Sequence, residues 1–195
     1  EAVPNHPLVP VLKSYWLMIH VSLEAGSYGF LVLGAIIGVL NLLFMIFANT
    51  KNRENVYRMI RELSYVSEMT LIGGLCMISV GTYLGGVWAN ESWGRYWGWD
   101  AKETWALVTI LVYAFILHMR LIPGLRGLYA YNLATLFGWA SVMMTYFGVN
   151  YYLSGLHSYA AGDPVPVPPF IYYSLAILTV IALAAYWKDR KVRIG

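Results

Sequence analysis

The sequence predicts an all-α fold: a polytopic membrane helix bundle of about five transmembrane helices with an extracytoplasmic tryptophan-rich loop. Three observations lead there. Of the 195 residues, 59% are hydrophobic and only 12% charged, about half the charge of a typical soluble domain. The apolar runs are long enough to cross a hydrocarbon core, and the mean hydropathy is +0.57. Basic residues, finally, crowd into every second polar link. This composition argues against a soluble catalyst or a nucleic-acid-binding domain, and no nucleic-acid partner is expected.

Residues 1–13 form a polar arm with prolines at Pro4, Pro7 and Pro10. The chain opens at Glu1 without an initiator Met or a signal-peptide pattern, so it is expected to be part of something longer. A first apolar helix is read over 15–48, about 50 Å at 1.5 Å per residue and longer than a bilayer core needs. Its start, with Tyr15, Trp16, His20 and Glu24, should stand at the interface. Gly34 and Gly38 form a small-xxx-small pair suited to close helix packing. A polar link follows over 49–61, then a second span over 66–88 with another such pair, Gly81 and Gly85. The single cysteine, Cys76, lies inside this apolar run and is expected to be a small core residue. The tryptophan-rich loop occupies about 88–105. A third span covers 104–118, capped by Thr104 or Asp100, with Glu103 favourable in its first turn. A turn around Pro123 and Gly124 leads to a fourth span, 128–149, where Met143 and Met144 read as packing residues. An outer loop over 150–169 holds His157 and four of its prolines, and the last span is 170–187. The whole chain, 1–195, reads as one membrane domain.

Five spans place the termini on opposite sides. The links at 51–61, 120–126 and 188–193 carry ten of the 13 Lys and Arg. Only Lys13, Arg95 and Lys102 fall on the other side. The positive-inside rule then puts the arm, the tryptophan loop and the His157 loop outside, and the C-terminus in the cytoplasm.

Five of the eight tryptophans lie between Trp88 and Trp105. An interfacial aromatic belt would account for some of them. It does not call for so many in one stretch, nor for Arg95, Lys102, Asp100 and Glu103 among them. Flat rings separated by small residues suit a large planar apolar ligand. Trp93, Trp97, Trp99, Asp100 and Trp105 are therefore the loop's candidate cofactor-binding residues, and Arg95 or Lys102 is placed to meet a ligand's carboxylates.

Four histidines complete the pattern. His20 and His157 share the tryptophan loop's side, and two neutral imidazoles flanking an aromatic surface are what six-coordinate haem iron requires. Either one taken singly reads more simply as an interfacial histidine; their shared side favours ligation. His118 lies about 20 Å deeper, near the opposite leaflet. An ionisable residue there is a functional candidate by default, and anchoring beside Arg120 is an equal alternative. His6, in the arm, is expected to be incidental. Glu24, one turn from His20, either orients its ring or is simply solvated.

The run WGRYWGWDAKET, from Trp93 to Thr104, resembles the signature of the cytochrome c biogenesis proteins called CcsA or ResC, members of the haem-handling group with a tryptophan-rich WWD domain. The segment from Leu12 to His20 is similar to the family's stretch before its first external histidine. Thr145 to Asn150, followed by Gly155 to Tyr159, is similar to the stretch at its second. The resemblance implies that His20 and His157 are axial ligands of haem b at the loop, and that His118 matches the histidine of an inner haem site. It implies delivery of haem across the membrane to the thiols of an apocytochrome c CxxCH motif, as a component of a holocytochrome c synthase. The work would be shared with a CcsB or ResB partner, separate or fused, in a bacterial cytoplasmic or thylakoid membrane. The chain departs from the pattern in being short.

Two rivals are weighed. A cytochrome b-type membrane electron carrier would place its ligand histidines within facing helices at matched depths, which these do not show. A secondary transporter would show paired broken helices around midplane polar sites, and none is evident.

Overall fold

The computed structural model describes residues 13–153 and 166–194, and these are helices joined by short connections. Helix α1 is Tyr15–Phe47 and α2 is Arg53–Trp93. Helix α3 is Ala101–His118, followed by two single 3-10 turns, Met119–Leu121 and Pro123–Leu125. Helix α4, Leu128–Met143, continues through a π-helical turn, Met144–Gly148, into the short α5, Val149–Tyr152. Helix α6 is Pro169–Ile194. Four of the described helical segments are long and apolar enough to cross a membrane. The segment expected as a fourth span is the path α4–π–α5, whose α-helical part is shorter.

The link expected over 49–61 is only a tight turn. Asn49 Oδ1 accepts from the backbone N–H of Lys51 at 2.9 Å and Asn52 at 3.1 Å, while Asn52 Oδ1 accepts from Asn49 N–H at 2.7 Å. These side chains close the turn with their own oxygens. Helix α2 therefore begins at Arg53 rather than near Val66, because its Arg, Glu and Met residues favour helix as well as its apolar ones do. It runs 41 residues, about 60 Å. Its other end reaches Trp93, where Gly94 adopts φ 70° and returns its N–H to Asn90 O at 2.9 Å. That left-handed C-cap suits glycine. The loop proper is thus residues 94–100, and Trp88, Trp93 and Trp105 belong to helices.

Helix α1 packs chiefly along α2 and also touches α4 and α6. One core, around Leu31, Leu71, Ile78, Tyr113, Ile116 and Val142, joins α1 to α4. A smaller one, around Leu42, Met45, Ile60 and Ala185, seats α6, and Tyr57 Oη donates to the buried Asp189 at 2.6 Å. The expected use of Gly38 holds: a Cβ there would strike the Thr135 hydroxyl and lie 2.8 Å from Asn132 O. Cys76, expected in the core, is exposed instead; it falls on a face of α2 that no other described helix covers.

Lipid tails give apolar helix faces little reason to prefer one another, so polar contacts between helices weigh more. Asn41 and Asn132 are fully buried. Asn41 Nδ2 donates to Asn132 Oδ1 at 2.8 Å and to Ser64 Oγ at 3.3 Å, and Asn132 Nδ2 donates to Ser64 Oγ at 3.0 Å. One amide pair and one hydroxyl thereby tie α1, α2 and α4 together. Replacing Asn132 by Leu should cost about 1 kcal/mol, the scale of such a bond in a membrane. Thermal melting in detergent should show it as a midpoint about 2–4 °C lower.

Candidate functional site

At the tryptophan end of the bundle, α1, α2, the loop, α3 and the π turn enclose a cleft of about 170 Å³. His20 reaches it from α1, Thr82 and Gly85 from α2, Tyr96 and Trp97 from the loop, Lys102 from α3 and Tyr146 from the π turn.

The His20 ring is held by the main chain. Its Nδ1–H donates to the carbonyl of Gly81 at 2.7 Å. A carbonyl can only accept, so the neutral ring carries its proton on Nδ1 and its lone pair on Nε2. That tautomer, fixed from behind by a backbone oxygen, is the arrangement in which histidines bind metals. The ring stacks on Trp88 at 6.2 Å and 14°. Gly85 makes the berth, because a Cβ there would sit 2.6 Å from the imidazole. Gly81 and Gly85, read in the sequence as a helix-packing pair, thus seat the candidate ligand as well. Glu24 does not orient the ring directly: its carboxylate is 4.0 Å from Nδ1 and accepts from Thr82 Oγ1 at 3.0 Å. It lines the cleft.

The loop is built around Glu103. Asp100 Oδ1 accepts from Glu103 N–H at 2.8 Å, and Glu103 Oε2 accepts from Asp100 N–H at 3.3 Å, a reciprocal capping box. Of the two expected caps, Asp100 is the one used. Glu103 also accepts from Gly98 N–H at 2.7 Å and from Arg95 Nη1 at 3.1 Å. Gly98 is small because the Arg95 guanidinium lies where its Cβ would be. Arg95 is therefore committed to Glu103, with its guanidinium 5.9 Å from the Trp93 ring centroid. Lys102 faces the cleft, and its Nζ lies 3.5 Å from Asn150 Oδ1.

The tryptophans do not form one flat surface. Trp88 and Trp93 meet at 67° with centroids 4.9 Å apart, and Trp97 and Trp99 at 86° and 5.6 Å. Edge-to-face pairs satisfy the ring quadrupoles better than a face-to-face array would. Trp88 is buried at 1% exposure, whereas Trp99 is 70% exposed. Trp99 also has φ 59°, alone among the described non-glycine residues. A bulky residue there is a genuine outlier, and such strain gathers at functional sites. Trp97 lines the cleft, and its indole N–H is buried without a hydrogen-bond partner among the described residues. Trp105 belongs to α3, where its carbonyl accepts from Thr145 Oγ1 at 3.1 Å. Thr145 Oγ1 also lies 2.9 Å from Ser141 O and 3.0 Å from Thr109 Oγ1. This knot sits in the π turn that brings Tyr146 to the cleft, and no residue type in the sequence announced it.

The predicted ligands are thus not all in one place. His20 lines the cleft, while His118 is at the far end of α3, about 26 Å along the helix axis. There it is exposed, with Nδ1–H donating to Ala114 O at 2.6 Å, so it presents Nε2 outward. His157 lies outside the described residues. Among the described residues no three His, Cys, Asp or Glu gather into a metal site; what the cleft offers is one oriented imidazole.

A family model described as cytochrome C assembly protein matches residues 1–157. The chain belongs to this family. It is 50% identical over 180 residues to the protein NrfI of Wolinella succinogenes, a match covering 92% of the chain and 20% of NrfI. It is 40% identical over 172 residues to the cytochrome c biogenesis protein CcsA of Guillardia theta, covering 78% of the chain and 56% of that protein. With CcsA of Chlamydomonas reinhardtii the identity is 42% over 154 residues, covering 78% and 43%. The chain spans about half the length of these CcsA relatives and a fifth of NrfI. Its long apolar helices make it an integral membrane member of that family.

Because the Glu103 carboxylate gathers three donors in a largely buried site, losing it should cost more than a surface charge would. Glu103→Ala should destabilise the loop by about 3 kcal/mol, the lower end for breaking a buried pair. Tryptic cleavage after Arg95 in limited proteolysis should become correspondingly faster.

Proposed function

We propose that this chain holds haem at its tryptophan-rich end and presents it for covalent attachment to an apocytochrome c. The observation that carries the reading is the His20 ring, oriented by the Gly81 carbonyl into a cleft rimmed by Trp97 and Tyr96. The residues present suit a haem: a fixed imidazole for iron, apolar rings for the macrocycle, and Lys102 rather than the occupied Arg95 for a propionate. At about 170 Å³, the cleft is smaller than pockets that enclose a drug-sized ligand, roughly 300–1,000 Å³. It therefore clasps one edge and leaves the rest open to a partner.

In this reading His20 and His157 are the axial ligands of haem b, with Trp93, Trp97, Trp99 and Trp105 covering it. Asp100 serves the site through the capping box that shapes the loop. His118, exposed to its surroundings, belongs to an inner site completed by a CcsB- or ResB-like partner. The tryptophan end faces away from the cytoplasm and the arginine-rich end faces it, as the distribution of basic residues supports. The membrane is a bacterial cytoplasmic or a thylakoid one. Bound haem supplies the vinyl groups to which the CxxCH thiols add. The protein's own contribution is placement, a proximity effect that needs no nucleophile of its own.

The visible spectrum of the detergent-purified protein, co-expressed with its partner, tests this. Wild type should show a low-spin reduced haem spectrum, weakened in His20→Ala and His20→Ala/His157→Ala and restored by added imidazole. An unchanged spectrum in the double variant would refute the assignment. Gly85→Ala should weaken the spectrum although it keeps the histidine, since its Cβ takes the ring's place. Trp99→Gly should release about 1 kcal/mol of backbone strain and so melt no lower than wild type, while retaining less haem.

A further inference from the structure

A second cavity lies at the opposite end of the bundle, between α2, the end of α3, the 3-10 turns and the start of α4. Its volume is about 460 Å³. Three guanidiniums line it: Arg61 from α2, and Arg120 and Arg126 from the connection. Glu68 neutralises one, with Arg120 Nη1 at 2.9 Å from its Oε1. Arg61 and Arg126 have no carboxylate within ion-pair distance among the described residues. Hydroxyls of Tyr65 and Tyr131 share the cavity. An apolar wall from Ile116, Leu117 and Leu128 continues into it, and Leu121 and Ile122 stand exposed on the turn beside Arg120.

Two uncompensated guanidiniums in one concavity select an anion with several acceptor oxygens. The cavity opens where spans end, so the anion within reach is the one that paves the membrane surface. The apolar wall beside the charges matches a ligand whose charged head carries hydrocarbon. Basic pockets between transmembrane helices receive such headgroups elsewhere.

We propose that the Arg61–Arg120–Arg126 cavity is a binding site for an anionic phospholipid, with the phosphodiester between Arg61 and Arg126 and an acyl chain over Leu121 and Ile122. Glu68 keeps Arg120 extended along the rim, which leaves the other two arginines to the phosphate. The proposal does not depend on the His20 cleft at the other end, with which the cavity shares no lining residue. It fixes the depth at which this end of the bundle sits in the headgroup layer.

Native mass spectrometry of the full chain, released from an equimolar mixture of phosphatidylglycerol and phosphatidylcholine, reads the site directly. Wild type should retain phosphatidylglycerol in preference. Arg61→Gln/Arg126→Gln should weaken that retention roughly thirtyfold, from about fivefold for each basic residue near an anionic surface. Arg126→Gln alone, which alters one exposed side chain, should weaken it about fivefold and keeps the test valid if the double variant misfolds. Arg53→Gln/Arg58→Gln removes the same charge outside the cavity and should leave retention unchanged. Equal loss in that control, equal retention of phosphatidylcholine, or no loss in Arg126→Gln would each overturn the proposal. So would displacement of the lipid by inorganic phosphate, which would assign the cavity to a free anion.

Discussion

Hydrocarbon offers no partner to a buried N–H, C=O or charge, and that constraint organises this protein from one face to the other. The backbone answers it by being helical almost throughout. The side chains answer it locally: Asn41, Ser64 and Asn132 hydrogen-bond one another between three helices, and Thr145 ties the π turn to α3. At the loop, where seven residues leave helical geometry, Glu103 supplies the oxygens the backbone has lost. The charges in WGRYWGWDAKET are thus in good part a scaffold. Arg95, Asp100 and Glu103 hold the turn, while Trp97, Trp99 and Lys102 face outward or into the cleft.

The helix bundle was legible because long apolar runs and the grouping of basic residues are signals that no local detail disturbs. So was the position of His20, whose place near a span's end put it beside the loop. Helix boundaries were harder. The segment from Arg53 to Val66 looks like a link because it is charged, yet charge does not oppose helix formation, and only Asn49 and Asn52 carry true turn chemistry. The fourth span showed why hydropathy gives length but not hydrogen-bond register: the π turn depends on where the Thr145 hydroxyl finds its acceptors across the helix interface.

Other features had no one-dimensional signature. That Trp97 and Trp99 pair edge to face, instead of lying flat, goes with the positive φ of Trp99. That Arg95 is occupied and Lys102 faces the cleft follows from folding the loop over Glu103. Composition could name the candidates for carboxylate recognition. Only the capping geometry separates them.

The acceptor that orients His20 is a peptide carbonyl, an atom that every amino acid at position 81 would carry. No side-chain exchange can delete it. A survey of point mutants would therefore find no polar residue whose loss mimics the loss of this support. It would find glycines that resist anything larger, and the seating of the imidazole would be recorded in the genetics as a demand for empty space.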